Sequence, residues 1–257
     1  AAIGSGLTGV LLLGAVATLR RAEARTLRRP ALPLRMLAAA CCALVSAALA
    51  VVVLTLPETG PTLAPEVLAA LPAIGVGNPV TGVLMAFRGF DTLLEKVVLV
   101  LALIGVWSLA SDRCWGGQPG LEHRLPADGV LPFFARTLPP FGVLLGIHLM
   151  WTGADNPGGA FQGGTVLAAM WLVVMMAGVR DAPAIREQWV RLALVSGPVV
   201  FLAVGIAGVL TAGAFLAYPV AIAKPLILLI EVPMLLTIAL ALGLLVTGPP
   251  ERAVDAP

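Results

Sequence analysis

The sequence predicts an all-α integral membrane protein with about seven transmembrane helices. Hydrophobic residues make up 59% of the 257 residues and charged residues only 12%, which leaves too little polar surface for a soluble domain. The apolar residues fall in continuous runs long enough to cross a bilayer as helices. These runs lack the inside–outside alternation of a membrane barrel, so helices are predicted instead of strands.

Seven apolar runs of suitable length can be placed along the chain. They lie near residues 3–19, 37–56, 93–109, 133–151, 161–179, 192–216 and 225–246. The first run has no basic segment before it, so it does not have the pattern of a cleaved signal peptide. The chain begins with Ala1 and not with Met, which is compatible with missing upstream sequence.

The positions of the basic residues predict the orientation. Most of the 16 Lys and Arg residues fall in alternate connections, at 20–35, 113–136 and 180–191, and in the tail at Arg252. The positive-inside rule places these connections in the cytoplasm, so the N-terminus is predicted outside and the C-terminus inside. Contact with anionic lipid explains the same residues, and no nucleic-acid partner is expected.

Two irregular stretches divide the chain. Residues 57–78 are rich in proline and predict an external connection, with room for a short surface helix at 66–71. Residues 111–128 are rich in glycine and charge and predict a cytoplasmic linker. The chain is predicted to have four parts: a segment with about three transmembrane helices at 1–110, the linker at 111–128, a four-helix domain at 129–248 and a tail at 249–257.

Ionisable residues at membrane depth are the candidates for function, because each is costly there unless it is paired or hydrated. Arg88, Asp91, Glu95 and Lys96 form the first group, at the outer end of the third predicted span. Asp91 and Glu95 are four residues apart and share a helical face. The group is interpreted either as a cation relay or as a salt-bridge cluster that anchors the helix.

Glu231 lies about a third of the way into the last predicted span. Lys224 precedes it by two helical turns on roughly the same face, and Pro225 and Pro233 loosen the backbone hydrogen bonding nearby. Burial raises the pKa of a carboxyl group and a nearby cation lowers it, and this balance suits a proton site. The alternative is a glutamate that hydrogen-bonds a neighbouring helix or subunit. His148, in the fourth span, is either a proton carrier or a satisfied core residue.

A glycine-rich turn, WTGADNPGGAFQGG, separates the fourth and fifth spans. Pro157 suits the first turn of the next helix, and Asp155 either caps that helix or takes part in function. The glycines permit positive φ or close backbone approach, and Gly159 and Gly163 have the spacing for tight helix contact. The predicted turn residues are Gly153, Asp155, Pro157, Gly158, Gly159, Gln162, Gly163 and Gly164.

No pattern for a cofactor or a metal is found. The glycine turn lacks the spacings of phosphate-binding loops, and no strand precedes it. The three cysteines do not form a cluster with histidine. We therefore expect neither a cofactor nor a metal site.

Two motifs resemble those of a known family. GADNPGGAFQGG, at 153–164, resembles the GxxxPGGxFxGG signature of the B-subunit domain of Mrp-type multisubunit sodium/proton antiporters, a domain also found in membrane-bound hydrogenases and related respiratory complexes. The run from Asn78 to Glu95 resembles the NxVTxVLxxxRGFDTxxE motif of the E-type hydrogenase subunit and of the C-terminal end of the antiporter A subunit. The opening AAIGSGLTGVLLL resembles the last helix of the D-type subunit.

The resemblance implies a D/E-type segment followed by a B-type domain. It further implies a non-catalytic subunit of a cation/proton antiporter module in the bacterial or archaeal cytoplasmic membrane, within a complex I-related or membrane-bound hydrogenase-like complex. The implied partners are large A/D-type antiporter-like subunits, a small C-type subunit, F/G-type and E-type subunits, the lipid bilayer and, in a redox-driven complex, a redox or hydrogenase arm.

The last helix departs from the family pattern. Glu231 and Gly243 match, whereas Pro233, Leu240 and Ala241 replace a glutamate, a phenylalanine and an aspartate. The loss of two acidic sites puts in doubt whether this helix conducts ions.

The glycine turn departs as well, because Ala154-Asp155 replaces the His-Asn pair of many B subunits. This variant points to the hydrogenase-type or another respiratory-complex branch. Two alternatives stay open: a structural adaptor that holds antiporter-like subunits together, and a self-sufficient small transporter. An enzyme is least favoured, because no nucleophile or cofactor loop is found.

Overall fold

The structure, a computed structural model, describes residues 32–55, 62–120 and 129–253. The chain divides into two compact units, Ala1–Thr62 and Leu63–Pro257. The described part of the first unit contains one long helix, α1 (Leu32–Thr55). Its described residues are exposed within that unit and almost all apolar, as expected of a membrane span.

The second unit is built of helices joined by short turns. Its helices are α2 (Ala64–Ala70), α3 (Pro79–Gly82), α4 (Gly89–Trp107), α5 (Val130–Thr152), α6 (Ala160–Met176), α7 (Gln188–Ala212) and α8 (Ala223–Thr247). A one-turn 3₁₀ segment, Val220–Ile222, leads into α8. Two short strands, β1 (Gln118–Pro119) and β2 (Pro250–Arg252), pair antiparallel.

The all-α membrane class predicted from composition is confirmed. Among the described residues, four stretches are long and apolar enough to cross a membrane: Arg35–Thr55, Val130–Thr152, Gln188–Ala212 and Val220–Thr247. Helix α6 is apolar but shorter, and α4 carries Asp91, Glu95 and Lys96 of the first predicted group, with Arg88 directly before it. The predicted span at 3–19 lies outside the described residues, so the number of seven spans stays a prediction.

Six predicted spans coincide with helices whose ends differ by a few residues, and local chemistry explains the larger differences. Helix α4 starts at Gly89, earlier than predicted, because the backbone leaves the helical region only at Arg88 (φ −130°, ψ 34°). Helix α7 stops at Ala212, before the predicted end at residue 216, because Gly213 adopts the left-handed conformation (φ 78°) that ends helices. The short surface helix expected at 66–71 is present as α2, which runs into a 3₁₀ turn.

Helix α8 is the centre of the second unit. It packs along α6 and α7 and also contacts α4, while α5 packs along α6. Its residues Ile227, Ile230 and Ile238 are fully buried. The remaining helices therefore surround α8, and a polar side chain on its inner face is kept away from lipid.

A hydroxyl group of α8 takes the place of a direct backbone hydrogen bond in α7, next to Pro198. Pro198 lacks an N–H and disturbs the helix at that point. Next to it, the Gly197 N–H donates to the Thr237 hydroxyl at 3.1 Å, and this hydroxyl donates to the Ala193 carbonyl at 2.9 Å. Thr237 thus bridges two backbone groups that would otherwise bond directly, and ties α8 to α7.

The segment predicted as a cytoplasmic linker takes part in the fold where it is described. The Ile185 N–H donates to the Gly117 carbonyl at 3.0 Å, and the Gly120 N–H donates to the Pro249 carbonyl at 3.1 Å. The third and fifth connections and the tail therefore meet at one end of the helices, as the predicted topology requires. Which end is cytoplasmic, and whether a module boundary lies here, stay predictions.

Close packing of α5 on α6 depends on small residues. A Cβ atom at Gly163 would overlap the Gly146 carbonyl oxygen and lie 2.7 Å from the Leu235 side chain, whereas a Cβ at Gly105 in α4 would meet nothing within 4 Å. The contact expected from the spacing of Gly159 and Gly163 is therefore found at Gly163, with α5 and α8.

We predict that Gly163→Ala lowers the free energy of unfolding by about 1–3 kcal/mol, because the methyl group forces α5 and α6 apart. Gly105→Ala, the same substitution in an open position, should leave stability unchanged or slightly raise it. Thermal unfolding of the purified protein in detergent measures both. Equal effects of the two substitutions would contradict the close helix contact.

Candidate functional site

The two sequence motifs meet in space. The Asn78 side-chain amide donates to the Gly153 carbonyl at 2.9 Å and to the Asn156 carbonyl at 2.8 Å, and its oxygen accepts from the Val80 N–H at 3.0 Å. The Thr81 hydroxyl donates to the same Gly153 carbonyl at 2.5 Å. The start of α3 therefore holds the glycine turn, although the two segments are more than 70 residues apart.

The glycine turn folds back tightly onto the end of α5. The Gly159 N–H donates to the Leu149 carbonyl at 2.8 Å, and Gly159 itself has φ 127°. A Cβ at Gly153 would lie 2.5 Å from the Gly159 nitrogen, and one at Gly158 would overlap the Leu149 carbonyl oxygen. Only glycine fits these positions, and the turn places the N-terminus of α6 directly beside α8.

The expected capping role of Asp155 is wrong. Helix α6 begins at Ala160 with Gly159 as its N-cap and has no side-chain cap, so Pro157 lies before the first turn and not within it. The Asp155 carboxylate instead forms a salt bridge with the Lys224 ammonium, and both side chains are about half exposed. The turn is too tightly folded to bring Asp155 back to the helix start.

The segment that holds the glycine turn continues into an interrupted helix. Between α3 and α4, residues Val83–Phe87 form a π-helical segment. The Thr92 hydroxyl donates to the Leu84 carbonyl at 2.7 Å, and the Tyr218 hydroxyl donates to the Met85 carbonyl at 3.0 Å. Burial raises the pKa of Tyr218, so its hydroxyl remains a donor. Such breaks are tolerated at membrane depth where protein groups satisfy the backbone.

A cavity of about 310 Å³ lies between this broken helix, the start of α6 and α8. Its charged lining consists of Glu95 and Lys96 from α4 and Glu231 from α8. Polar groups of Thr81, Thr92, Gln162 and the glycines of the turn complete it. Residues from both sequence motifs and from the last helix therefore face one space.

Glu231 is anchored in this cavity through one end of its carboxylate. Its side chain is buried, with the residue 5% exposed. The Ala160 N–H donates a hydrogen bond to the carboxylate, and the positive end of the α6 dipole favours a negative charge there. The Oε2 atom is buried and has no hydrogen-bond partner among the described residues. It is therefore free to bind a cation, a proton or water.

Lys96 is the second buried charge of the cavity. Its ammonium lies 3.3 Å from Oε2 of Glu95 and 4.7 Å from the centre of the Phe161 ring. The Lys96 side chain is 4% exposed, whereas that of Glu95 is 61% exposed. Glu95 thus connects the cavity to the surface, and Lys96 lies on its inner side.

The predicted group of four charged residues divides into two separate pairs. Arg88 and Asp91 form an exposed salt bridge of 2.5 Å next to Phe215 and Leu216, outside the cavity lining. Glu95 pairs with Lys96 instead. Consecutive helical residues point about 100° apart, so Lys96 turns inward while Asp91 faces outward.

His148 and Lys224 also lie outside the cavity lining. His148 is exposed on α5, where the Thr152 hydroxyl bonds to its backbone carbonyl. Lys224 was expected to act on Glu231, but its ammonium is held by Asp155. Their common helical face does not bring the lysine and the glutamate together, because the glycine turn supplies a nearer partner to each of them.

Sequence reasoning missed Tyr218 and the role of Phe161 beside Lys96. Tyr218 is the single tyrosine of the chain and lies between two apolar spans, which is the one signal that could have marked it. Phe161 gave no signal apart from its place in the glycine motif.

The apolar helices define a multi-pass membrane protein. Residues 130–249 match the family model described as a domain related to the MnhB subunit of a Na⁺/H⁺ antiporter. That part of the chain is therefore similar to MnhB-related domains.

Similar proteins are found among curated sequences and among solved structures. An uncharacterized protein of Methanocaldococcus jannaschii is 26% identical over 156 residues, which cover 55% of this chain and 60% of that protein. A chain of the Mrp complex from Dietzia sp. DQ12-45-1b has a similar fold, with a TM-score of 0.69 and 23% identity, over 98% of this chain and 30% of the other.

A chain of the archaeal membrane-bound sulfane sulfur reductase, a respiratory membrane complex, has a TM-score of 0.64 and 22% identity, over 82% of this chain and 96% of the other. At these identities the structures establish a shared fold. This chain spans about 60% of the length of its curated relative and less than a third of the Dietzia chain.

We predict that Asn78→Ala lowers the free energy of unfolding by about 2–3 kcal/mol, because it removes a helix cap and two buried hydrogen bonds to the glycine turn. Asn156→Ala is the matched control. The Asn156 side chain is exposed and only its carbonyl is used, so the change should be below about 0.5 kcal/mol. Thermal unfolding in detergent compares the two, and a stable Asn78→Ala protein would show that the turn does not need this contact.

Proposed function

We propose that this chain is a non-catalytic membrane subunit of a multisubunit Na⁺/H⁺ antiporter-type complex, and that its cavity forms part of the cation path. One observation carries the proposal: a buried carboxylate with an unpartnered oxygen, Glu231, shares a cavity with a buried ammonium, Lys96. The MnhB-related domain supports the class of complex.

The unpartnered oxygen favours a path over a purely structural role. Leaving a charged or polar atom buried without a partner is costly, and such atoms at membrane depth are commonly functional. The cavity has room for several water molecules. The salt bridges Arg88–Asp91 and Lys224–Asp155 differ in this respect, because each of them is internally matched and exposed. They suit the adaptor role, whereas Glu231 does not.

In the proposed path, a cation passes from Glu95 at the mouth to Glu231 at the inner wall. Glu95 is 61% exposed and lines the same cavity. The Gly159 backbone leaves space directly at Glu231, since a Cβ there would lie 3.4 Å from its Oε1 atom. His148 and the Arg88–Asp91 pair lie off this path.

The partners that we infer are other membrane subunits of the same complex. The proposed set comprises large A/D-type antiporter-like subunits, a small C-type subunit and F/G-type and E-type subunits. Within the described residues, α5 and α7 present wide apolar surfaces that suit lipid or such neighbours. The Dietzia likeness supports an antiporter complex, and the likeness to the archaeal reductase supports a redox-driven one.

We predict that Glu231→Gln reduces Na⁺-dependent proton transport at least about tenfold in the intact complex, because the amide cannot carry the charge that pairs with a cation; tenfold corresponds to about 1.4 kcal/mol. Asp91→Asn makes the same chemical change in an exposed salt bridge outside the cavity. It should leave transport within about twofold, since exposed ion pairs contribute little. Acridine-orange dequenching in everted membrane vesicles measures both activities.

Assembly of the complex, measured by co-purification, is the control for both variants. Normal transport and normal assembly of the Glu231→Gln complex would contradict the proposed cation path. The role of a structural adaptor would then be favoured. Ion flux through the purified chain alone in liposomes would instead favour the self-sufficient transporter.

A further inference from the structure

Lys96 is bound too weakly for a buried structural charge. Its ammonium has three donors, but among the described residues it meets one carboxylate, at 3.3 Å, and one aromatic ring. The carboxylate belongs to the adjacent residue Glu95 and is mostly exposed, so solvent weakens the pair. Residues next to each other on a helix do not support the helix by pairing. The contacts of Lys96 therefore offset little of the free energy that is needed to remove its ammonium from water.

The opposite charge in the same cavity lacks a partner. Glu231 is buried, and its Oε2 atom has no hydrogen bond among the described residues. No salt bridge joins it to Lys96 in the described part of the chain, although both line the cavity. Each group thus has a vacant position that the other can fill, and a mobile cation can also fill the position at Glu231.

A short route connects the two groups. The Phe161 ring lies against the Lys96 ammonium, and the preceding residue, Ala160, donates its N–H to Glu231. The lysine side chain is a flexible four-carbon arm with a compact charge at its end. Such an arm changes its rotamer without any change in the backbone, and the ammonium and the Glu231 carboxylate line the same cavity.

We propose that Lys96 is a tethered cation that competes with the transported cation for Glu231. With a cation at Glu231, the ammonium stays with Glu95 and Phe161. When the cation leaves, the ammonium moves to Glu231 and prevents a bare buried charge. Lys96 is thus a specificity-determining residue that sets the affinity for the cation. This inference rests on the proposed function of the cavity.

The other charged groups nearby do not take this role. Glu95, Lys96 and Glu231 are the ionisable residues that line the cavity among the described residues. Lys224 is the nearest lysine on α8, and it is held by Asp155 outside the lining. It therefore provides a matched control for Lys96.

The test measures the apparent KM for Na⁺ of the intact complex in everted vesicles. In Lys96→Met the competing cation is absent, so the apparent KM for Na⁺ should fall about tenfold, within the range typical of coupling between two ligands. The maximal rate should fall as well, since release of Na⁺ from Glu231 is no longer assisted. Lys96→Arg keeps the charge and should keep the KM near that of the wild type. Lys224→Met should leave the KM unchanged.

The outcomes separate this inference from the proposed function. An unchanged KM in Lys96→Met, together with lost transport in Glu231→Gln, would overturn the role of Lys96 as a tethered cation. The proposed cation path through the cavity would still hold. Normal transport in Glu231→Gln would overturn the path itself.

If Lys96→Met does not assemble, Lys96→Gln, which is neutral and polar, should assemble and show the same fall in KM. If both neutral variants fail to assemble while Lys96→Arg is normal, Lys96 is a structural anchor, and the inference is overturned.

Discussion

The structure of the second unit depends on one constraint: backbone polar groups inside a membrane must find partners within the protein. Two segments of this chain break the helical pattern, the π-helical stretch after α3 and the glycine turn after α5. The glycine turn is held by the start of α3, because Asn78 and Thr81 bind the turn carbonyl of Gly153. Thr92 and Tyr218 complete the backbone bonds of the broken helix. The cavity exists because these two irregular segments meet and leave space between them.

The placement of charge follows from this arrangement. The glycine turn brings the N-terminus of α6 against α8, so Glu231 receives a backbone N–H and the favourable end of a helix dipole. Helix α4 begins after the break, and its Lys96 lines the same cavity. The buried Glu231 and Lys96 side chains therefore line one cavity without a salt bridge between them among the described residues, whereas the exposed pairs Arg88–Asp91 and Lys224–Asp155 are joined. This arrangement is the basis on which we propose a site for mobile cations.

Much of the fold could be predicted from the sequence, because the thickness of the bilayer fixes the length of apolar helices. Helix ends were less predictable, since they depend on single residues such as Gly213 and Arg88. The sequence identified Glu231 and the glycine motif as important but assigned wrong partners. Spacing along one helix suggested Lys224 as the partner of Glu231, and residue type before a helix suggested a cap at Asp155. The observed partners come from distant segments, and one-dimensional spacing holds no information on such contacts.

The central claim is that a mobile cation, and not a neighbouring protein group, completes the coordination of Glu231. Electron cryo-microscopy of the intact complex, prepared with Na⁺ and without it, tests this most directly. We predict density for an ion or ordered water next to Oε2 of Glu231 in Na⁺, and movement of the Lys96 side chain toward Glu231 when Na⁺ is removed. A polar side chain of another subunit that fills the cavity and hydrogen-bonds Glu231 in both conditions would contradict the claim, and would identify the residue as a structural anchor.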